Sequence, residues 1–122
     1  MVTLVINEKL SNLNDYTKAC RTNKYVGASM KKKCERIISS YIMQQLKGVS
    51  FENKVKLSFR WYEKDKRRDL DNICFSKKFI LDALVSNNVI ATDGWKGVAG
   101  FTDEFFIDKN GYRVEVDIEE VK

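Results

Sequence analysis

The sequence predicts an α+β domain: a mixed, mainly antiparallel sheet carrying two main helices. Three observations carry that expectation. Short stretches near both ends and in the middle alternate apolar and polar residues, as half-buried strands do. Two longer stretches repeat apolar residues at helical spacing. Asn110-Gly111, just before the last alternating stretch, is the dipeptide of a two-residue hairpin turn. The chain has 122 residues, 43% of them hydrophobic and 32% charged, which suits one folded domain with a core of its own.

Taken in order, Val2, Leu4 and Ile6 alternate with Thr3 and Val5 and read as a first strand. From Leu10 to Gly27 no apolar stripe is visible. Asn12, Asn14, Asp15, Thr22, Asn23 and Gly27, with Lys18, Arg21 and Lys24 spaced three apart, suggest a long cationic loop. Ser29 is placed to cap a helix that runs to about Lys47 and stops at Gly48. Its stripe is Met30, Cys34, Ile37, Ile38, Tyr41, Ile42 and Leu46. That start puts Lys31, Lys32 and Lys33 in the first turn, where cations oppose the helix dipole and a bound anion would offset the cost.

Lys54 to Tyr62 alternates cleanly, with Val55, Leu57, Phe59 and Trp61 on one side. A charged connection, Glu63 to Arg68, leads to Asp69-Leu70-Asp71-Asn72. If that segment is extended, Asp69 and Asp71 point the same way. Ile73 to Val85 has helical period, with Ile73, Ile80, Leu81 and Leu84 on one stripe and Lys77 intruding on it. Asn87-Asn88 end that helix. Val89 to Ala91 reads as a short extended piece, Val98 to Phe106 as a strand, and Tyr112, Val114, Val116 and Ile118 as the closing strand.

Composition narrows the chemistry. Histidine is absent, so a histidine-based triad cannot form within the chain. Cys20, Cys34 and Cys74 are widely spaced, with no CxxC, and a structural zinc site needs about four Cys or His ligands. Free thiols in a reducing compartment are the expectation. No apolar run approaches the ~18 residues of a membrane span, and Met1 to Ile6 is too short for a signal peptide, so a cytoplasmic setting is expected. Net charge is +5, unevenly placed. Residues 1–99 hold 19 basic and 10 acidic side chains (+9), and residues 100–122 hold 3 and 7 (−4). The basic portion suits a polyanion, and the acidic end suits a face turned away from it.

Asp69, Asp71 and Asp93 are oxygen donors of the kind magnesium and manganese take. A cation held there would serve phosphodiester hydrolysis, with a nearby lysine adding positive charge where the transition state becomes more anionic. Arg67, Arg68, Lys64 and Lys66 flank the pair and, with Arg21 and Lys31 to Lys33, are candidate phosphate contacts. Blander roles stand beside these. Asp82 can pair with Lys78 at i−4, Asn72 can cap the adjoining helix, and Phe75 and Trp95, though able to stack on unpaired bases, are expected in the core.

Three blocks occur in order: Arg67-Arg68-Asp69-Leu70-Asp71-Asn72, Lys78-Phe79-Ile80-Leu81-Asp82-Ala83-Leu84 and Val89-Ile90-Ala91-Thr92-Asp93-Gly94. Together they resemble the RusA family of Holliday junction resolvases. The stretch from Leu13-Asn14-Asp15-Tyr16 through Arg21-Thr22-Asn23 to Gly27-Ala28 and Lys31-Lys32 is similar to phage-borne members. The resemblance implies a small homodimeric endonuclease that needs magnesium or manganese. It would bind four-way junction DNA and nick two strands symmetrically in recombination and repair. It also implies that Asp69 and Asp71 are paired metal ligands and Asp93 the third acid. The family's lysine falls at Phe75 when counted forward from Asp71, and at Lys78 when counted back from Asp82-Ala83-Leu84. Lys77 and Lys78 both stay candidates, Lys77 for its stripe position. The first acid of the third block is replaced by Thr92. A nuclease acting on flaps or other branched DNA, and a non-catalytic basic DNA-binding dimer, are the alternatives.

Overall fold

The computed structural model describes residues 1–121. The element order is β1 (Val2–Ile6), α1 (Leu13–Thr22), α2 (Lys24–Gln45), β2 (Val55–Glu63), α3 (Leu70–Ile73), a 3-10 turn (Cys74–Ser76), α4 (Lys77–Ser86), β3 (Val98–Ile107) and β4 (Arg113–Glu120). The four strands form one sheet in the order β1-β4-β2-β3. β4 runs antiparallel to both β1 and β2, and β2 and β3 are parallel. The expected α+β class with a mixed, mostly antiparallel sheet is what the structure has.

Alternation explains the layering. Leu4, Ile6, Val55, Leu57, Phe59, Trp61, Val114, Val116 and Ile118 bury one face of the sheet in a single core with Cys34, Ile38, Ile42 and Leu46 of α2 and Phe79, Ile80 and Leu84 of α4. The other face carries polar partners: Arg60 donates to Glu115 at 2.9 Å and to Asp117 at 2.5 and 3.1 Å. The acidic end of the chain thus lies largely on the sheet face away from the helices.

Several expectations are corrected. The Leu10–Gly27 stretch is not a loop. Asn12 accepts from the Asp15 N–H and caps α1. A single residue, Asn23, ends α1 and caps α2 by accepting from Tyr25 and Val26. α1 is amphipathic after all: Ala19 is buried and Tyr16 packs on Phe75 and Phe79, while most of the remaining helix faces solvent. It packs so close to α2 that a Cβ on Gly27 would sit 2.6 Å from the Cys20 sulfur. α2 therefore begins at Lys24 rather than after Ser29, so Lys31 to Lys33 lie beyond its first turn and the dipole argument for an anion there falls. At the other end Gly48 takes φ +80°, the left-handed stop its identity predicts.

Downstream, the single expected helix over Ile73–Val85 is broken by the 3-10 turn. Val89 and Ile90 are not a strand; they are buried in a turn after α4. Asn110-Gly111 does turn the chain, with the Asn110 N–H donating to the Asp108 carboxylate, but no hairpin forms. β4 crosses to the far side of β2 and takes a central place, where Val114, Val116 and Ile118 are at most 2% exposed. β3, interrupted by Asp103 on its inward side, is left as an edge.

Candidate active site

The site is built where β2 hands over to α3. Glu63 closes the buried face of β2 at 6% exposure. Arg68 grips both its oxygens at 2.8 Å and also donates to the Leu10 carbonyl. Such a bidentate, charge-assisted pair fixes the end of the connection before Asp69. Arg67 is 89% exposed at its side chain, and its nearest acid is Asp65 at 3.5 Å. Both arginines thus turn upstream, and neither pairs with the acids that follow.

Asp69 and Asp71 are not on an extended segment. Asp69 is the N-cap residue of α3, without a side-chain capping bond, and Asp71 is in its first turn. Both are exposed, and neither carboxylate has an ion-pair or hydrogen-bond partner among the described residues. Asn72 does not cap its own helix. It is buried, and its Oδ1 accepts from the Asn14 N–H at 2.9 Å, capping α1 from 58 residues away. A cleft of about 330 Å³ opens beside Asp69, lined by Leu70, Ile73, Phe105, Phe106 and Ile107 with Arg68 and Lys66.

Lys77 and Lys78 start α4 and go opposite ways. Lys77 runs inward, 12% exposed, to Asp103 at 2.5 Å. It lies 3.9 Å from the Phe101 ring centroid, and the Trp61 indole N–H donates to the other oxygen of Asp103 at 2.8 Å. Lys78 runs outward, 59% exposed, between Asp93 at 2.7 Å and Asp82 at 3.0 Å. The expected Asp82–Lys78 pair is present, and Asp82 also meets Lys31 of α2 at 3.8 Å. Hydrogen bonds from Lys78 hold the Asp93 carboxyl below the usual carboxylate range, and those to Asp93 and Asp82 hold the Lys78 ammonium above the usual lysine value.

Sequence reasoning missed Asp103. The signal was there in pairs: Lys77 breaks the apolar stripe of α4, and Asp103 breaks the apolar side of β3 opposite Phe59. Two pattern violations on facing elements meet each other.

Asp93 stays with Lys78, and among the described residues no three acidic, Cys or His side chains gather as a metal cluster. The donor set still suits a hard cation in kind, because magnesium is commonly held by one or two carboxylates plus substrate phosphates. Of the candidate phosphate contacts, Arg68 is engaged inside the fold. Arg21, Lys32, Lys33, Lys64, Lys66 and Arg67 are exposed, and Lys31 is partly so. Phe75 packs on Tyr16 and Phe79. Trp95, expected in the core, is 90% exposed. The three cysteines are free thiols, and among the described residues no helix is long and apolar enough to cross a membrane.

No curated protein matches this sequence significantly. The family model described as Endodeoxyribonuclease RusA matches residues 3–119, nearly the whole chain. With a match that spans residues 3–119, the chain belongs to the RusA family of endodeoxyribonucleases.

Proposed function

We propose that the protein is a divalent-metal-dependent endonuclease that resolves four-way DNA junctions by paired nicks. The observation that carries this reading is the freedom of Asp69 and Asp71. Two arginines directly precede them, yet Arg67 and Arg68 are turned to Asp65 and Glu63. Two exposed carboxylates are thereby left ready for a cation inside a basic surface.

Asp69 and Asp71 would hold magnesium or manganese, with phosphate oxygens of the substrate completing the shell. A cation held there would supply Lewis-acid neutralisation of the scissile phosphodiester. The chain's own residues do the rest. Lys78, exposed and carried on the rigid start of α4, donates to a non-bridging phosphate oxygen as negative charge grows there. Asp93 orients the Lys78 ammonium and keeps it charged, and is the third acid of the site. Lys64, Lys66 and Arg67 hold the strand by its phosphates. Lys77 is a brace under the site, tied to Asp103. Two symmetric nicks require two such sites, which a homodimer related by a twofold axis supplies.

The test is cleavage of a synthetic four-way junction beside matched duplex and flap DNA, with manganese, magnesium or chelator, for the natural chain and Asp71→Asn. The expected result is metal-dependent nicking of the junction at symmetric positions. Asp71→Asn should slow cutting by at least about 100-fold, the scale on which a transition-state-directed charge acts, while binding the junction as well or better. Normal cutting by Asp71→Asn would remove the ligand assignment. Cutting of flaps in preference to junctions would move the substrate but leave the site.

A further inference from the structure

Trp95 is the residue that the described fold and chemistry leave unused. It is 90% exposed, whereas the other tryptophan, Trp61, is 3% exposed and hydrogen-bonded to Asp103. Full exposure of an indole forgoes the burial that usually justifies so large an apolar side chain. The turn that carries it is firmly built. The Gly94 N–H donates to Thr92 Oγ1 at 3.1 Å. The Gly97 and Val98 N–H groups both donate to the Gly94 carbonyl at 3.0 Å, and the Val55 N–H donates to the Gly97 carbonyl, tying the turn to β2. A Cβ on Gly97 would lie 2.0 Å from the Thr92 carbonyl oxygen, so only glycine lets the turn close this tightly. The indole is therefore displayed on a fixed backbone.

Its surroundings indicate what it meets. Asp93, two residues away, holds Lys78, which shares Asp82 with Lys31. Lys96 follows directly and is exposed. A flat π-face on the turn that also carries Lys96 and Asp93, the partner of Lys78, matches a nucleobase with its phosphates: the ring stacks on the base while ammonium groups meet the backbone. In intact duplex DNA the faces of the bases are covered by their neighbours, so such a platform favours a branch point, where bases are unstacked.

We infer that Trp95 is a base-stacking residue that selects branched DNA, placing an unstacked base beside the Lys78–Asp93 pair. This rests on the endonuclease reading of that site. A stacking contact of this kind is worth about 10- to 100-fold in affinity, and a rigid turn loses little freedom when the base arrives.

The experiment compares the natural chain with Trp95→Ala and Trp95→Phe. The probes are a four-way junction carrying 2-aminopurine at the branch point and the matched linear duplex, in chelator so that nothing is cut. Thermal melts confirm that both variants fold, and sedimentation reports self-association. Trp95→Ala should weaken junction binding about 10- to 100-fold and duplex binding by no more than about twofold. Trp95→Phe should keep most of the affinity. The natural chain should quench 2-aminopurine, and Trp95→Ala should not. Unchanged junction affinity in Trp95→Ala would overturn the inference while leaving the nuclease reading intact. So would equal weakening on duplex and junction, or a change in self-association that accounts for the loss by assigning Trp95 to a second copy of the chain. If the natural chain bound no DNA of either form, both readings would fall together.

Discussion

Lys77 and Lys78 are neighbours in sequence with opposite environments. Lys77 is 12% exposed, against one carboxylate and the rings of Phe101 and Phe59; Lys78 is 59% exposed, between two carboxylates. A desolvated ammonium held by one acid in fixed geometry is costly to remove and is not free to meet a substrate. An exposed one shared by two acids is nearly neutral for stability and can exchange one partner for a phosphate. The difference separates a brace from a tool, a distinction that composition cannot make.

The largest effect should come from Lys78→Ala. Cutting should fall by about 100- to 1000-fold, with the melting temperature almost unchanged because surface pairs contribute little. Single-turnover cleavage beside a thermal melt checks this, and a variant that cut normally would make Lys78 a surface residue and reopen the choice of lysine.

Next in size is Lys77→Ala, which leaves Asp103 without its cation. The pair is partly buried and Asp103 keeps the Trp61 N–H, so the loss should be about 2 kcal/mol, or roughly 7 °C in melting temperature. Pairing Lys77→Met with Asp103→Leu should recover much of that loss, since an apolar pair can replace a largely desolvated ionic one. If Lys77→Met alone were as stable as the natural chain, the brace would not exist.

Asn72→Ala should cost about 1–2 kcal/mol by leaving the Asn14 N–H without its acceptor. The damage should be local, so hydrogen exchange should quicken first in α1, although the substitution lies 58 residues from Asn14. Uniform quickening across the chain would argue against a cap.

The smallest effect is on the pH dependence of stability. Hydrogen bonds from Arg60, then from Thr3, hold the Asp117 carboxyl below its ordinary range, as Lys78 does for Asp93. A carboxyl depressed in the folded state adds stability that is complete above its unfolded value. That stability is lost as pH falls through the folded value. Stability should therefore be flat from about pH 5 to 8 and decline below about pH 4. Asp117→Asn should flatten the acid limb more than Asp93→Asn, because its side chain is 19% exposed against 32%. Urea midpoints between about pH 3 and pH 7 measure both, and a steeper limb in Asp117→Asn would contradict the assignment.

The residues that misled are as informative as those that did not. Strand alternation in β2 and β4 was legible because each buries one face, and the period of two records that directly. α1 was not legible, because its packing depends on Gly27 admitting Cys20 and on caps from Asn12, Asn23 and the distant Asn72. The chain does turn near Asn110-Gly111, but with Lys109-Asn110 at the centre and no hairpin, because turn chemistry is local and says nothing about which strand comes to lie alongside.

By itself the sequence determined the α+β class, the identity of β1, β2, β3 and β4, the stop at Gly48 and the family-bearing blocks around Asp69, Asp71 and Asp93. Each of these is written in neighbouring residues, by period, turn type or motif. Only the tertiary structure decided that β4 lies between β1 and β2, that Arg68 belongs to Glu63, that Lys77 faces Asp103, and that Trp95 stands in solvent. Those outcomes depend on what lies across the core from a side chain, and a buried charge or an apolar ring is assigned its partner by packing, not by its neighbours in the chain.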